Sequence, residues 1–293
     1  MPAIALGTVQ FGLDYGATNR AGQISLDAAH RILQTAQDGG IRWLDTAAAY
    51  GDAEERLGSV LDGDPYFSIC SKLAPARDAP LAEAARRSLD NSLTRLRRPQ
   101  LEALLVHAAA DLLGKEGDAL WDSLSTLRDQ GLARSIGVSV YEAGEIEAIV
   151  ARYKPDWIQL PCSVLDQRLV QSGVLARLNQ AGIRVQARSL LLQGLVCADP
   201  DALPEALTAL RPSLQRLRNS ASSPLSSPLA MALAWAASQQ EIELAVLGVT
   251  RREELQQCLD EFIARPGIDW PAFACNETEL LDPRKWPAGV RLS

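Results

Sequence analysis

Four residues in the first 107 positions, Asp45, Tyr50, Lys72 and His107, are of types that can together move a proton. A phenol titrates at about 10 in water, too high for efficient donation at neutral pH, and a neighbouring ammonium favours the phenolate and lowers that value. Lys72 is the candidate for that charge. A carboxylate beside it, Asp45, would keep the lysine protonated and in place. The imidazole of His107 would hydrogen-bond a substrate carbonyl, orienting it and stabilising the oxyanion that develops. Each residue alone has an ordinary structural explanation, as a turn former, a solvated terminus or a core histidine. Chemistry follows only if they converge. The other histidine, His30, falls in the first helical segment and is expected at the surface.

Convergence requires a scaffold that brings distant strand ends to one rim. Short runs rich in Ile, Val and Leu predict strands at Ala3–Thr8, Ile41–Asp45, Tyr66–Lys72, Leu101–His107, Ser135–Ser139, Asp156–Leu160, Ile183–Arg188 and Glu243–Gly248. Helical period appears near 25–38, 53–62, 80–97, 117–130, 142–153, 168–181, 227–239 and 251–263, as in Leu81, Ala85, Leu89, Leu93 and Leu96. Gly39, Gly40, Gly131 and Gly182 stand between helix and strand, where a left-handed cap is wanted. Eight such units fit an α/β fold of the closed (β/α)8 type, a TIM barrel, better than an open doubly wound sheet, and no G-x-G-x-x-G opens any helix. The carboxyl ends of barrel strands form the active face. Strand two ends in Asp45, three in Lys72, four in His107 and five in Ser139, while six contains Gln159. Residues 1–293 are read as one domain with long loops at that face. These are Gln193–Ser227, with its SASSPLSSP run, and the tail after Arg265 carrying Trp270, Phe273 and Trp286. The substrate pocket is expected from Ala108–Glu116, the loop after Arg188 and that tail.

Composition narrows the function. Hydrophobic residues are 47% and charged residues 22% of the 293, near globular averages. With 29 basic and 36 acidic residues the net charge is -7, which disfavours nucleic acid as a partner. The N-terminus lacks a basic leader, and the longest apolar stretch, Pro228–Ala237, is short of a membrane span, so a cytoplasmic protein is expected. Five scattered cysteines without C-x-x-C spacing read as reduced, and two distant histidines provide no metal site.

An ordered set of motifs resembles the aldo-keto reductase family over most of the chain. It comprises LGTVQFG from Leu6, LDTAAAYGDAEERLG from Leu44, SK at Ser71 and Lys72, and LLVH ending at His107. IGVSVY from Ile136, QLPCSVLDQR from Gln159, ARSLLLQGL from Ala187 and LGVT from Leu247 complete it. The resemblance implies a barrel that binds NADP(H) and reduces an aldehyde or ketone, with Asp45, Tyr50, Lys72 and His107 as its tetrad. It implies that Ser139 and Gln159 hold the nicotinamide carboxamide and that Gly7 and Thr8 lie beside the cofactor. Further cofactor contacts are implied for Ser189, Leu190 and Gln193, and for Gly248 and Thr250. The chain departs from the family in three places. Val140 stands where asparagine is usual, and Arg188 where a tyrosine often stacks on the nicotinamide. Glu254 and Cys258 stand where Gln and Asn are common in the last helix. Arg251 and Arg252, at the start of that helix, are candidates for the 2′-phosphate. Arg188 has two readings: a guanidinium stacked on the nicotinamide, or a ligand for an anionic substrate.

Two other classes of function stay open at this level. One is a lyase or aldolase in which Lys72 forms a Schiff base at the barrel mouth. The other is a non-catalytic NADP(H)-binding subunit that keeps the barrel.

Overall fold

The fold is described from a computed structural model, over residues 1–74, 79–221, 225–275, 277–287 and 290. Eight parallel strands close into a barrel in sequence order. They are β1 (Ala3–Gly7), β2 (Trp43–Asp45), β3 (Ser68–Lys72), β4 (Leu101–Val106), β5 (Ala133–Ser139), β6 (Trp157–Pro161), β7 (Arg184–Arg188) and β8 (Leu244–Gly248). The seam between β8 and β1 pairs five residues, from Ala3 with Leu244 to Gly7 with Gly248. A helix follows each strand. These are α1 (Leu26–Asp38), α2 (Ala53–Leu61), α3 (Leu81–Leu96), α4 (Gly117–Asp129), α5 (Ala143–Val150), α6 (Val174–Gln180), α7 (Pro228–Ala237) and α8 (Arg252–Glu261).

Successive side chains of a strand alternate between faces, and the register carries one parity round the barrel. Gly7 is level with Asp45, Asp45 with Cys70, Cys70 with Ala103 and Ala103 with Ser135. On the other side Ser139 is level with Gln159, Gln159 with Gln186 and Gln186 with Leu244. This set faces the lumen, where Ala5, Cys70, Ala103, Leu105, Trp157 and Leu244 form a small apolar floor with Trp43 against Trp157. The opposite set, such as Leu6, Leu44, Leu104, Val138, Leu160 and Ala187, packs outward in the large core shared with the helices. Two residues beyond the floor, on the same parity, come Lys72, His107 and Arg188. The period of two therefore sends these polar chains to the mouth.

Local sequence explains the helix limits. Ser25 accepts from the Ala28 N–H at the head of α1, and Ser227 from the Ala230 N–H at the head of α7. The helix expected over 168–181 is split into Arg168–Gln171 and α6, because Gly173 at φ +71° breaks the run. The long segment 193–227 carries more structure than a loop: a helix at Arg211–Ser220 opens on Pro212 and buries Leu214 and Leu217. That helix packs on α7, whose residues from Ala230 to Ala237 are all buried. Residues 222–224 of the Ser/Pro run lie outside the described residues. Past Arg265 the chain makes short 3-10 turns at Trp270–Phe273, Thr278–Leu281 and Pro283–Lys285. Among the described residues no helix is long and apolar enough to cross a membrane.

Candidate active site

Lys72 is the centre of the barrel mouth and is only 1% exposed. An ammonium has three protons, and here they have three destinations. Nζ donates to Asp45 Oδ1 and Oδ2, both at 2.8 Å, to the Thr46 carbonyl at 2.9 Å and to the Tyr50 hydroxyl at 3.5 Å. Burial disfavours the ammonium, but the Asp45 carboxylate more than offsets this, so the Lys72 pKa lies above its ordinary value. Asp45 also accepts from Gln159 Nε2 at 2.7 Å and from Gln186 Nε2 at 3.2 Å. Its oxygens are committed within the protein. It anchors Lys72.

Tyr50 is placed by backbone packing. Its N–H donates to the Ala47 carbonyl and its own carbonyl accepts from Ala53, each at 3.0 Å. Beside it runs the short helix Val9–Gly12. A Cβ on Gly12 would overlap the Tyr50 carbonyl, and one on Gly51, at φ +56°, would overlap the Gly12 carbonyl. Only two glycines permit this approach. The Tyr50 ring meets His107 edge-on, with centroids 5.9 Å apart. Burial raises the Tyr50 pKa, and Lys72 opposes it without reversing it. The sequence-level expectation of a lowered phenol is thus corrected: desolvation outweighs the ammonium, and the hydroxyl is protonated at neutral pH. Burial and the Lys72 charge push His107 down to about 4, so its imidazole is neutral, and its Nδ1 is buried without a hydrogen-bond partner.

A cleft of about 960 Å³ opens over these groups. Its wall includes Asp45, Tyr50 and His107, with Lys72 beneath them. Gly7, Thr8, Ser139, Gln159 and Arg188 reach it from strand ends, and Ser189, Leu190 and Gln193 from the loop after β7. Gly248, Thr250 and Arg251 line it at the β8 exit. Arg252 does not: its Nε pairs with Glu253 at 2.8 Å, outside the wall. Thr8 uses its hydroxyl on the Asp45 carbonyl at 3.0 Å, which ties β1 to β2.

A family model described as the aldo/keto reductase family matches residues 3–265. The chain belongs to the aldo/keto reductase family. An aldo-keto reductase of Mycolicibacterium vanbaalenii is 30% identical over 220 residues, covering 74% of this chain and 71% of that one. One from Mycolicibacterium smegmatis is 35% identical over 135 residues, so the matched part spans only 46% of its length. In structure, the chain is similar to the holo form of an aldo-keto reductase from Bacillus halodurans, with TM-score 0.75, 18% identity and coverage of 98% and 95%. A glycerol dehydrogenase from Gluconobacter oxydans gives TM-score 0.71 at 19% identity, covering 92% and 89%. These two show the fold. Aldo/keto reductases are oxidoreductases that bind a nicotinamide cofactor.

The family's chemistry meets some differences in this aldo/keto reductase. Gln159 gives its amide nitrogen to Asp45, and its Oε1 is buried without a hydrogen-bond partner. Val140 is fully buried, and its carbonyl accepts from Arg188 at 3.1 Å. Arg188 also donates to Ser139 Oγ at 3.4 Å and lies 4.1 Å from the Tyr141 ring centroid. The cleft wall includes the loop after Arg188 as expected, but no described residue of the tail after Arg265 and none of Ala108–Glu116, part of which forms a helix at Ala109–Leu113. It is drawn from Gln10, Tyr15 and Thr18–Ala21 after β1, and from Tyr141 and Gln257. None of these was expected as a site residue from the sequence, although Gln10 and Tyr141 lie within its motifs. Tyr15 lies just beyond LGTVQFG and Tyr141 ends IGVSVY, so position next to a motif was the available signal.

Proposed function

We propose that this chain reduces an aldehyde or ketone to the alcohol with a nicotinamide dinucleotide, Tyr50 being the general acid. The observation that carries the reading is the Lys72 ammonium held between Asp45 and the Tyr50 hydroxyl, beside neutral His107, at the floor of an open cleft. The cleft fits a dinucleotide in size. The unpartnered oxygens Gln159 Oε1 and Gln10 Oε1 are acceptors suited to a carboxamide or hydroxyl donor. When bound, the reduced nicotinamide supplies a hydride to the carbonyl carbon. Tyr50 delivers its hydroxyl proton to the carbonyl oxygen, and Lys72 stabilises the tyrosinate left behind. His107, uncharged, donates its one N–H to the same oxygen and orients it. Asp45 acts through Lys72. In this reading Ser139 and Gln159 hold the carboxamide, and Gly7, Thr8, Ser189, Leu190, Gln193 and Gly248, which line the cleft, lie beside the cofactor. The resemblance implies NADP(H); acceptance of the 2′-phosphate depends on Thr250, Arg251 and Glu254.

A Schiff-base role for Lys72 is disfavoured by the same contacts, since a nucleophilic amine must be deprotonated and free. The deciding experiment is Tyr50→Phe, assayed on a panel of carbonyl substrates. Removing only the hydroxyl should lower turnover by about 100-fold or more while dinucleotide binding persists. Near wild-type turnover would remove Tyr50 from the mechanism, and a wild type that binds dinucleotide without reducing any carbonyl would favour a binding subunit.

A further inference from the structure

We infer that Glu254 makes this cleft select NAD(H), whose adenosine ribose carries a free 2′-hydroxyl, over the 2′-phosphorylated dinucleotide. The inference rests on the dinucleotide reading above. Glu254 lines the same cleft as Tyr50 and His107, in the first turn of α8. Its Oε2 accepts from the Thr250 N–H at 2.8 Å and from the Thr250 hydroxyl at 3.0 Å. Its Oε1 accepts from Arg251 Nε at 3.1 Å and from the Arg251 terminal nitrogen at 2.9 Å. The two adjacent arginines that suggested a phosphate site are therefore both matched by carboxylates, and one of them lies outside the cleft. Gln257 and Cys258, next along the wall, carry no charge to replace them.

Arg251 is 71% exposed, so its pair with Glu254 is weak and the guanidinium can swing away. The carboxylate cannot follow, because the Thr250 N–H holds it. A 2′-phosphate has nearly two negative charges and only acceptor oxygens. Against Glu254 it meets a like charge and another acceptor. A hydroxyl in the same place donates a hydrogen bond to the carboxylate, which is how acidic side chains choose the unphosphorylated ribose in other dinucleotide sites. Arg20 is the other exposed guanidinium of the wall, on the loop between β1 and α1.

The test measures binding of NADH and NADPH, and separately of ADP and adenosine 2′,5′-bisphosphate, to wild type, Glu254→Gln and Glu254→Arg. The second pair of ligands probes the adenosine end without the nicotinamide chemistry. Wild type should bind NADH at least about tenfold tighter than NADPH, as expected where like charges are set against a wrong ligand. ADP should likewise bind more tightly than the bisphosphate. Glu254→Gln should narrow both ratios and Glu254→Arg reverse them, with NADH binding by Glu254→Gln showing that the fold is intact. Equal or tighter binding of NADPH by wild type overturns the inference, as do ratios unchanged in both variants. A preference for NADPH that disappears in Arg20→Ala also overturns it and places the phosphate contact on the β1–α1 loop. If none of the four ligands binds, the dinucleotide reading itself fails.

Discussion

His107 is a neutral group whose protonation the folded chain resists, and that has a measurable cost. The unfolded histidine titrates at 6.5 and the folded one at about 4, with burial the larger cause and the Lys72 charge the second. Between those values the unfolded chain binds more protons, so stability rises with pH across the window. Acidification from pH 7.5 to 4 should cost up to about 3 kcal/mol through this residue. Urea unfolding at both pH values should show that drop in wild type and a smaller one in His107→Gln; equal drops would assign the acid sensitivity elsewhere. Arg188 gives a second prediction at this scale. No carboxylate pairs with it among the described residues, and it stands beside Ser139 in the cleft. Oxidised nicotinamide is cationic and the reduced ring is neutral, so with the nicotinamide bound as proposed the guanidinium would disfavour only the oxidised form, by about 1 kcal/mol after screening. Titrations of both forms should show a several-fold preference for reduced dinucleotide, lost in Arg188→Tyr. An affinity ratio identical in the two proteins, with loss of acidic carbonyl substrates in the variant, would instead make Arg188 a substrate ligand.

Among the elements, the turn that carries Tyr50 and the helix Val9–Gly12 lean on each other through two glycines. Gly12→Ala forces a methyl into the Tyr50 carbonyl, and no rotamer relieves a clash between a Cβ and backbone. The turn must shift. Misplacement by about 1 Å can cost a hundredfold in rate, so turnover should fall far more than dinucleotide affinity, and unchanged turnover would show that the contact does not position Tyr50. The glycine was visible in the sequence as the end of LGTVQFG, but its reason was not, because the partner lies across a loop. The strand ends were more legible. The carboxyl ends of the strands that carry Asp45, Lys72 and His107 were readable from short apolar runs alone, while the register that turns all three toward the lumen came from the fold. Arg251 and Arg252 were less legible for the opposite reason: adjacency in sequence shows charge, while pairing with Glu254 and Glu253, and the position of only Arg251 on the cleft wall, depend on how the first turn of α8 is wound. The single helix expected over 168–181 failed at Gly173, a residue whose left-handed conformation sequence period does not announce.

At the scale of the molecule the barrel has one seam, where β8 lies between β7 and β1. Parallel strands are buried on both faces and pair across long connections, so a partial barrel leaves two unpaired edges and an uncovered lumen. Ending the chain after Gln240 removes β8 and α8. That form should show no cooperative unfolding and should aggregate, and a sharp denaturant transition in it would mean that seven strands suffice. The seam also sets when the protein can exist. During synthesis β1 emerges first and has no second neighbour until residues 244–248 have been translated. Everything before that moment is an open sheet in need of protection, so the fold completes late and in one act. A ribosome that stalls short of β8 leaves a product for proteolysis, never a slower enzyme.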